Sequence, residues 1–103
     1  MTHPNLEDIT LEGIFYALSD KTRLRIIANL YKEKSITLNC MQAMCGIDNI
    51  PASTTSHHFR VLRECGIIRS VREGKECHSQ LRLDELDQKF PGLLQMTMNN
   101  WSE

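Results

Sequence analysis

With 103 residues, 12 Lys and Arg against 13 Asp and Glu, and a formal net charge of −1, the chain has the size of one domain. Its total charge does not mark it as a partner of nucleic acid or of an acidic membrane surface, and no apolar run reaches the ~20 residues of a membrane span. The first residues carry neither the basic start nor the apolar stretch of a secretory signal, so a cytoplasmic protein is expected, with Cys40, Cys45, Cys65 and Cys77 as free thiols rather than a disulfide framework.

Residues 1–8 read as loosely ordered. A first helix is predicted from Thr10 to Leu18, with Leu11, Ile14, Phe15 and Leu18 on one face. Asp20 is placed to cap a second helix, "KTRLRIIANLYKE", in which Leu24, Ile27, Leu30 and Tyr31 recur at helical spacing. Thr37 is placed to cap a third, "LNCMQAMCG", with Leu38, Met41 and Met44 turned inward and Gly46 as its stop. "IDNIPA" reads as a connecting turn, and Pro51 and Ser53 open a fourth helix that ends at Gly66. The period then changes. "IIRSV" reads as a strand, "REGK" as a turn with Gly74 available for positive φ, and "ECHSQLRL" as the returning strand. Asp84 is expected to cap a last helical region, and Pro91 to stand in the first turn of a final helix, "PGLLQMTMNNW". The fold class is therefore mainly α with a small β-hairpin, in the order α-α-α-α-β-β-α.

Charge is spread unevenly along these elements. Arg60, Arg63, Arg69, Arg72 and Lys75 against Glu64 and Glu73 leave residues 57–75 at +3, while the remaining segments are neutral or acidic. A local basic stripe on a neutral chain suits a polyanion better than the total charge suggests. On the fourth helix, at 100° per residue, Ser56, His57, Arg60, Arg63 and Glu64 fall within about 80° of Ser53. Thr55, Phe59 and Leu62 fall opposite, with His58 toward them. Adjacent His57 and His58 point about 100° apart, which excludes the i,i+4 pairing of a helical metal site. His57 belongs to the polar face and His58 to the packed side. Short hydroxyls, a histidine and an arginine on one face, with an apolar back, suit a major groove. The bland reading of such a face is an ordinary solvated helix surface. The preceding helix and turn complete a helix-turn-helix, and the hairpin adds a wing whose Arg72 and Lys75 could reach an adjacent backbone.

"ALSDKTRLRIIANL", "STTSHHFRVLRECGII" and "VREGKECHSQLRL" together resemble the ArsR/SmtB-type winged-helix repressors, over roughly residues 11–83. The resemblance implies a single winged helix-turn-helix domain over residues 1–103, with residues 1–18 and 84–103 as dimerisation segments. It implies a homodimeric repressor that holds a double-stranded DNA operator and releases it on a signal. The family's DNA-contacting positions map onto Ser53, Ser56 and His57. Thr54 and, by the face argument, Arg60 join them, with Arg72 and Lys75 on the wing. The last helix supplies apolar Leu93, Leu94, Met98 and Trp101, which with Ile14 are expected at the dimer interface.

The family's sensing motifs do not match. The thiolate site asks for Cys-x-Cys near the start of the third helix, and here Gln42 follows Cys40 at the second position. Cys45 lies about 140° round the helix from Cys40, and beyond His78 the chain holds no histidine or cysteine. No resident metal and no cofactor are expected. The four cysteines remain candidate redox thiols, with small buried packing residues as the plainer reading. No enzyme reading stands: there is no Gly-rich phosphate loop or carboxylate pair, and Cys77 and His78 point to opposite faces of a strand. The alternative to a DNA-binding repressor is a thiol- or metal-responsive module, or a winged-helix interaction domain without DNA binding.

Overall fold

Three of the first four helices begin where a side chain accepts from otherwise unpaired backbone N–H groups. In the computed structural model, which describes residues 2–102, α1 (Leu11–Leu18) is capped by Thr10 and α2 (Lys21–Lys32) by Asp20, which accepts from the N–H groups of Thr22 and Arg23. Met1 and Glu103, the ends of the expected domain and dimerisation segments, lie outside the described residues. A 3-10 turn over Leu6–Asp8 precedes α1, where loose order was expected.

The third helix differs from its expectation. Leu38–Asn39 forms a short strand, β1, and α3 spans only Cys40–Ala43. The cap is Asn39 rather than Thr37: its side chain accepts from the Gln42 N–H while the Gln42 side chain accepts from the Asn39 N–H, a reciprocal capping box. The shorter helix leaves Met41, expected inward, 86% exposed. Next come α4 (Ala52–Glu64), β2 (Ile68–Glu73), β3 (Glu76–Leu81), α5 (Leu83–Lys89) and α6 (Leu93–Asn100). The C-terminal segment is thus two helices. Gly92, in the left-handed region at the start of α6, accepts the break between them, and Pro91 lies in that break rather than in a first turn. Asp84 sits one residue inside α5, where its carboxylate still favours the helix dipole.

The sheet has three antiparallel strands in the order β1-β3-β2, one more than the expected hairpin. β2 runs further toward the tip than expected, while β3 begins at Glu76 as expected and ends earlier, at Leu81. Glu73 pairs with Glu76, so Arg72 and Glu73 are strand residues and only Gly74 and Lys75 form the loop. Gly74 provides a φ of +63° at the first loop position. Ile14, Ile26, Ile27, Leu30, Leu62, Ile67 and Ile68 form the buried centre, which joins α1, α2, α4 and the sheet. Ser70 and Ser79, cross-strand partners on the inner sheet face, satisfy each other at 2.7 Å.

Helix α5 and the residue before it hold the N-terminal segment down. Arg82, almost fully buried, forks onto Glu85 at 2.8 and 2.9 Å and donates to the Pro4 carbonyl at 2.8 Å. That fork is the main reason the Glu85 carboxyl is held below its ordinary pKa. Lys89 Nζ donates to the Leu6 and Ile9 carbonyls. His3 Nε2 accepts from the Ser70 N–H at 2.9 Å, covering a backbone donor on the outer edge of β2.

Gly66, between α4 and β2, meets two demands at once. Its φ is +87°, and a Cβ there would lie 2.4 Å from Ile9 Cδ1. Gly66→Ala is therefore expected to cost about 2 kcal/mol or more, read as a lower urea midpoint at unchanged slope. An unchanged midpoint would show that the turn and Ile9 relax freely.

Candidate nucleic-acid interface

The polar face of α4 survives folding. Ser53, Ser56, His57 and Arg60 are exposed and Thr54 is half-buried, while His58, Phe59, Val61 and Leu62 are buried. The amphipathic split inferred from 100° spacing thus matches the burial of this helix. Unlike α1, α2 and α3, α4 starts without a side-chain cap: Pro51 stands at that position, and its carbonyl accepts from Thr54 and Thr55. An uncapped start keeps the positive end of the dipole open to an external anion.

Two of the exposed side chains touch each other. Arg60 Nη2 lies 3.3 Å from His57 Nδ1. A guanidinium only donates, so Nδ1 accepts and the ring N–H is Nε2, on the side away from Arg60. Together they present two aligned donors, one imidazole and one guanidinium.

The wing places Arg72 at the end of β2 and Lys75 in the loop, both exposed. Arg69, a third member of the basic stripe, is turned to Glu85 at 3.4 Å and so contributes less free charge. The seven residues inferred from sequence as DNA contacts therefore lie on two elements, α4 and the wing, and each is at least partly accessible.

Sequence reasoning missed the residues that seat α4. Arg23, 5% exposed, donates from Nε to the Ala17 carbonyl at 2.9 Å and from Nη2 to the Tyr16 carbonyl at 3.0 Å. Its Nη1 reaches His58 Nδ1 at 3.2 Å, and its guanidinium lies over the Tyr16 ring. One side chain thus closes the C-terminus of α1 and fixes a residue of α4. Burial pushes the His58 pKa down, aided by Arg23 and His57 and opposed by Asp20. His58 is therefore neutral at pH 7, and its 3.9 Å approach to Asp20 is not an ion pair then. Asn29, also buried, donates to the Ala43 and Cys45 carbonyls at 2.8 and 2.9 Å and holds α3 on α2. The sequence signal for both was a polar residue on an otherwise apolar helix face.

The four cysteines are free thiols: Cys40 and Cys45 are exposed, Cys65 and Cys77 half-buried. Burial raises the pKa of Cys40 and of Cys65, in the first case with help from Cys77. Of the residues expected at a dimer interface, Ile14 and Leu94 are taken up by the protomer's own core, and Leu93 and Met98 pack against it. Trp101 is half-buried. The large apolar side chains left exposed on the same helices are Leu11, Phe15, Tyr16 and Met96. No helix among the described residues is long and apolar enough to cross a membrane.

Comparison with known proteins agrees with this architecture. Residues 20–70 match the family model described as bacterial regulatory protein, arsR family. The chain is 34% identical over 96 residues to the uncharacterized HTH-type transcriptional regulator YceK of Bacillus subtilis, covering 92% of this chain and 93% of that protein. It is 32% identical over 71 residues to the cadmium resistance transcriptional regulatory protein CadC of Listeria innocua, covering 69% of this chain and 57% of CadC. The solved structure of the ArsR family transcriptional regulator RHA00566 shares the fold, with a TM-score of 0.66 at 18% identity over 98% of this chain and all of that one. The chain belongs to the ArsR family of winged-helix transcriptional regulators.

Proposed function

We propose that the protein is a homodimeric, cytoplasmic repressor that reads a near-palindromic operator with α4 and steadies it with the wing, and that it has no enzymatic role. The observation that supports this most is the exposed face of Ser53, Ser56, His57 and Arg60 on a helix whose opposite face is in the core. Ser, His and Arg donate to base edges, and Arg does so bidentately to guanine. Selection of bound sequences from random duplexes tests the reading. Two inverted half-sites with centres about one helical turn apart, or a multiple of it, are expected. Failure to enrich any sequence, with no retention on heparin at low salt, would favour a winged-helix interaction module instead.

Dimerisation is proposed through α1 and α6, with residues 1–18 and 84–103 as the segments involved. Leu11 and Phe15, four residues apart on α1, are 45% and 52% exposed, and Met96 on α6 is 53% exposed. Phe15→Glu is expected to give monomers in sedimentation at micromolar concentration, and a persistent dimer would place the interface elsewhere.

Arg72 and Lys75 are assigned to phosphate or minor-groove contact. Neutralising either should weaken all duplexes alike and reduce the dependence of log K on log salt by roughly one unit. Altered base preference at an unchanged salt slope would refute this division of labour. The release signal is assigned to no resident metal. CadC is named for cadmium resistance, but here Gln42 stands two residues after Cys40, where a Cys-x-Cys pair would place its second thiolate.

A further inference from the structure

The antiparallel register of β1 on β3 sets Leu38 opposite Ser79 and Asn39 opposite His78. Cys40 follows Asn39 directly as the first residue of α3, and Cys77 precedes His78 on β3, so the two cysteines flank the last β1–β3 pair on the same side. Alternation along β3 places Cys77 on the face of Ser79 and Leu81, and the chain leaves β1 at Cys40 beside it, at the end nearest the wing. Cys77 is close enough to add to the rise in the Cys40 pKa. Directly opposed residues of an antiparallel pair have Cα atoms about 4.5–5.5 Å apart, and two cysteines that flank such a pair on one side lie close to the span a disulfide bridges. Cys40 is exposed and Cys77 half-buried, so an oxidant can reach the pair from one side. Cys65 follows the C-terminus of α4, and Cys45 lies beyond the C-terminus of α3, so neither flanks the β1–β3 pairing.

We propose that Cys40 and Cys77 form a redox pair that closes to an intramolecular disulfide on exposure to low-molecular-weight disulfides. The Cys40 or Cys77 thiolate attacks a sulfur of the incoming disulfide, one small thiol leaves, and a mixed disulfide forms. The second protein thiolate then attacks the mixed disulfide and releases the second small thiol. Two protein S–H bonds are lost, one S–S bond forms, and the protons and electrons are carried off as two small-molecule thiols. The bond ties the first turn of α3 to the stem of the wing, since Cys77 pairs with Arg72 on β2. The raised Cys40 pKa means that attack by its thiolate quickens as pH rises. The proposal concerns the modification alone and does not depend on DNA binding.

The test treats the full-length protein with glutathione disulfide and maps the thiols by mass spectrometry without reduction. The expected product is a monomeric chain lighter by two hydrogens, with a Cys40–Cys77 cross-linked peptide. Cys40→Ser and Cys77→Ser should each abolish it, and Cys45→Ser and Cys65→Ser should leave it intact. The oxidised chain should melt on the order of 10 °C higher than the reduced one, as expected for a bond closing a long loop. Stable glutathione adducts without the cross-link, a different pairing, or links only between chains would overturn the proposal.

Discussion

Arg23→Ala is expected to lower the unfolding free energy by about 3 kcal/mol in a urea titration, the largest effect of any exchange outside the apolar core. The side chain is buried and its guanidinium donates to Ala17, Tyr16 and His58 at once. Removing it deprives the α1 C-terminus of its charged donor and leaves His58 Nδ1 without one. Arg23→Lys should recover little, because one ammonium cannot span three acceptors arranged for a planar fork. DNA affinity should fall as well, since the seat of α4 is disturbed although no contacting residue has changed. An Arg23→Ala protein with wild-type stability would show that water or rearranged side chains replace the fork.

The same seat carries a pH dependence. The His58 pKa is lowered in the folded protein, chiefly by burial, so the unfolded chain binds the proton more readily. Stability linked to His58 is therefore complete above the ordinary histidine value and is lost as pH falls through it toward the lower folded value. The His3 pKa is lowered in the same direction by burial, Arg69 and Arg82, so the strap on β2 adds to the acid loss. His58→Gln keeps an acceptor for Arg23 but does not titrate. Its urea midpoint should depend less on pH between about 7 and 5 than that of the wild type. Equal slopes would remove His58 as a source of that sensitivity.

What could be read from sequence was whatever local chemistry decides. Asp20 caps α2 because a carboxylate before "KTR" has few other uses there, and Gly74 marks the wing tip because a two-residue loop needs its φ. The division of α4 followed from periodicity alone, since its apolar and polar residues segregate cleanly. Where competing signals lay close together, sequence misled. Thr37 and Asn39 are both cap formers, and only the pairing of Leu38 with Ser79 makes the intervening residues a strand and passes the cap to Asn39. A two-residue strand has no period to detect. On α1, spacing grouped Leu11, Ile14, Phe15 and Leu18 but could not say which of them the protomer itself covers; Ile14 is buried, and Leu11 and Phe15 are not. Arg23 stood out only as a polar residue on the apolar side of α2, and its role was missed because a buried arginine is uncommon and its acceptors are backbone carbonyls that no sequence pattern marks.

His57→Ala and Arg60→Ala are each expected to weaken binding to the best selected duplex by about 1–3 kcal/mol and to relax preference at one or two base positions. Both side chains are on the exposed face of α4 and neither takes part in the core, so the folded protein should keep its melting temperature. Their 3.3 Å contact predicts that the two effects are not independent. Losing Arg60 leaves His57 Nδ1 without its donor and frees the ring to choose its other tautomer, which alters the donor shown to the groove. The double variant should therefore lose less than the two single losses together, by about 0.5 kcal/mol or more. Ser56→Ala tests the other half of the face and should cost less, because a hydroxyl makes one bond where an arginine makes two. The readout is a titration of labelled duplex at one fixed salt concentration, repeated with a single base pair changed in each half-site. Wild-type affinity in both single variants would mean that α4 does not read the major groove through these residues. A uniform loss on every duplex, with the salt slope reduced, would turn His57 and Arg60 into phosphate contacts and leave base recognition to Ser53, Thr54 and Ser56.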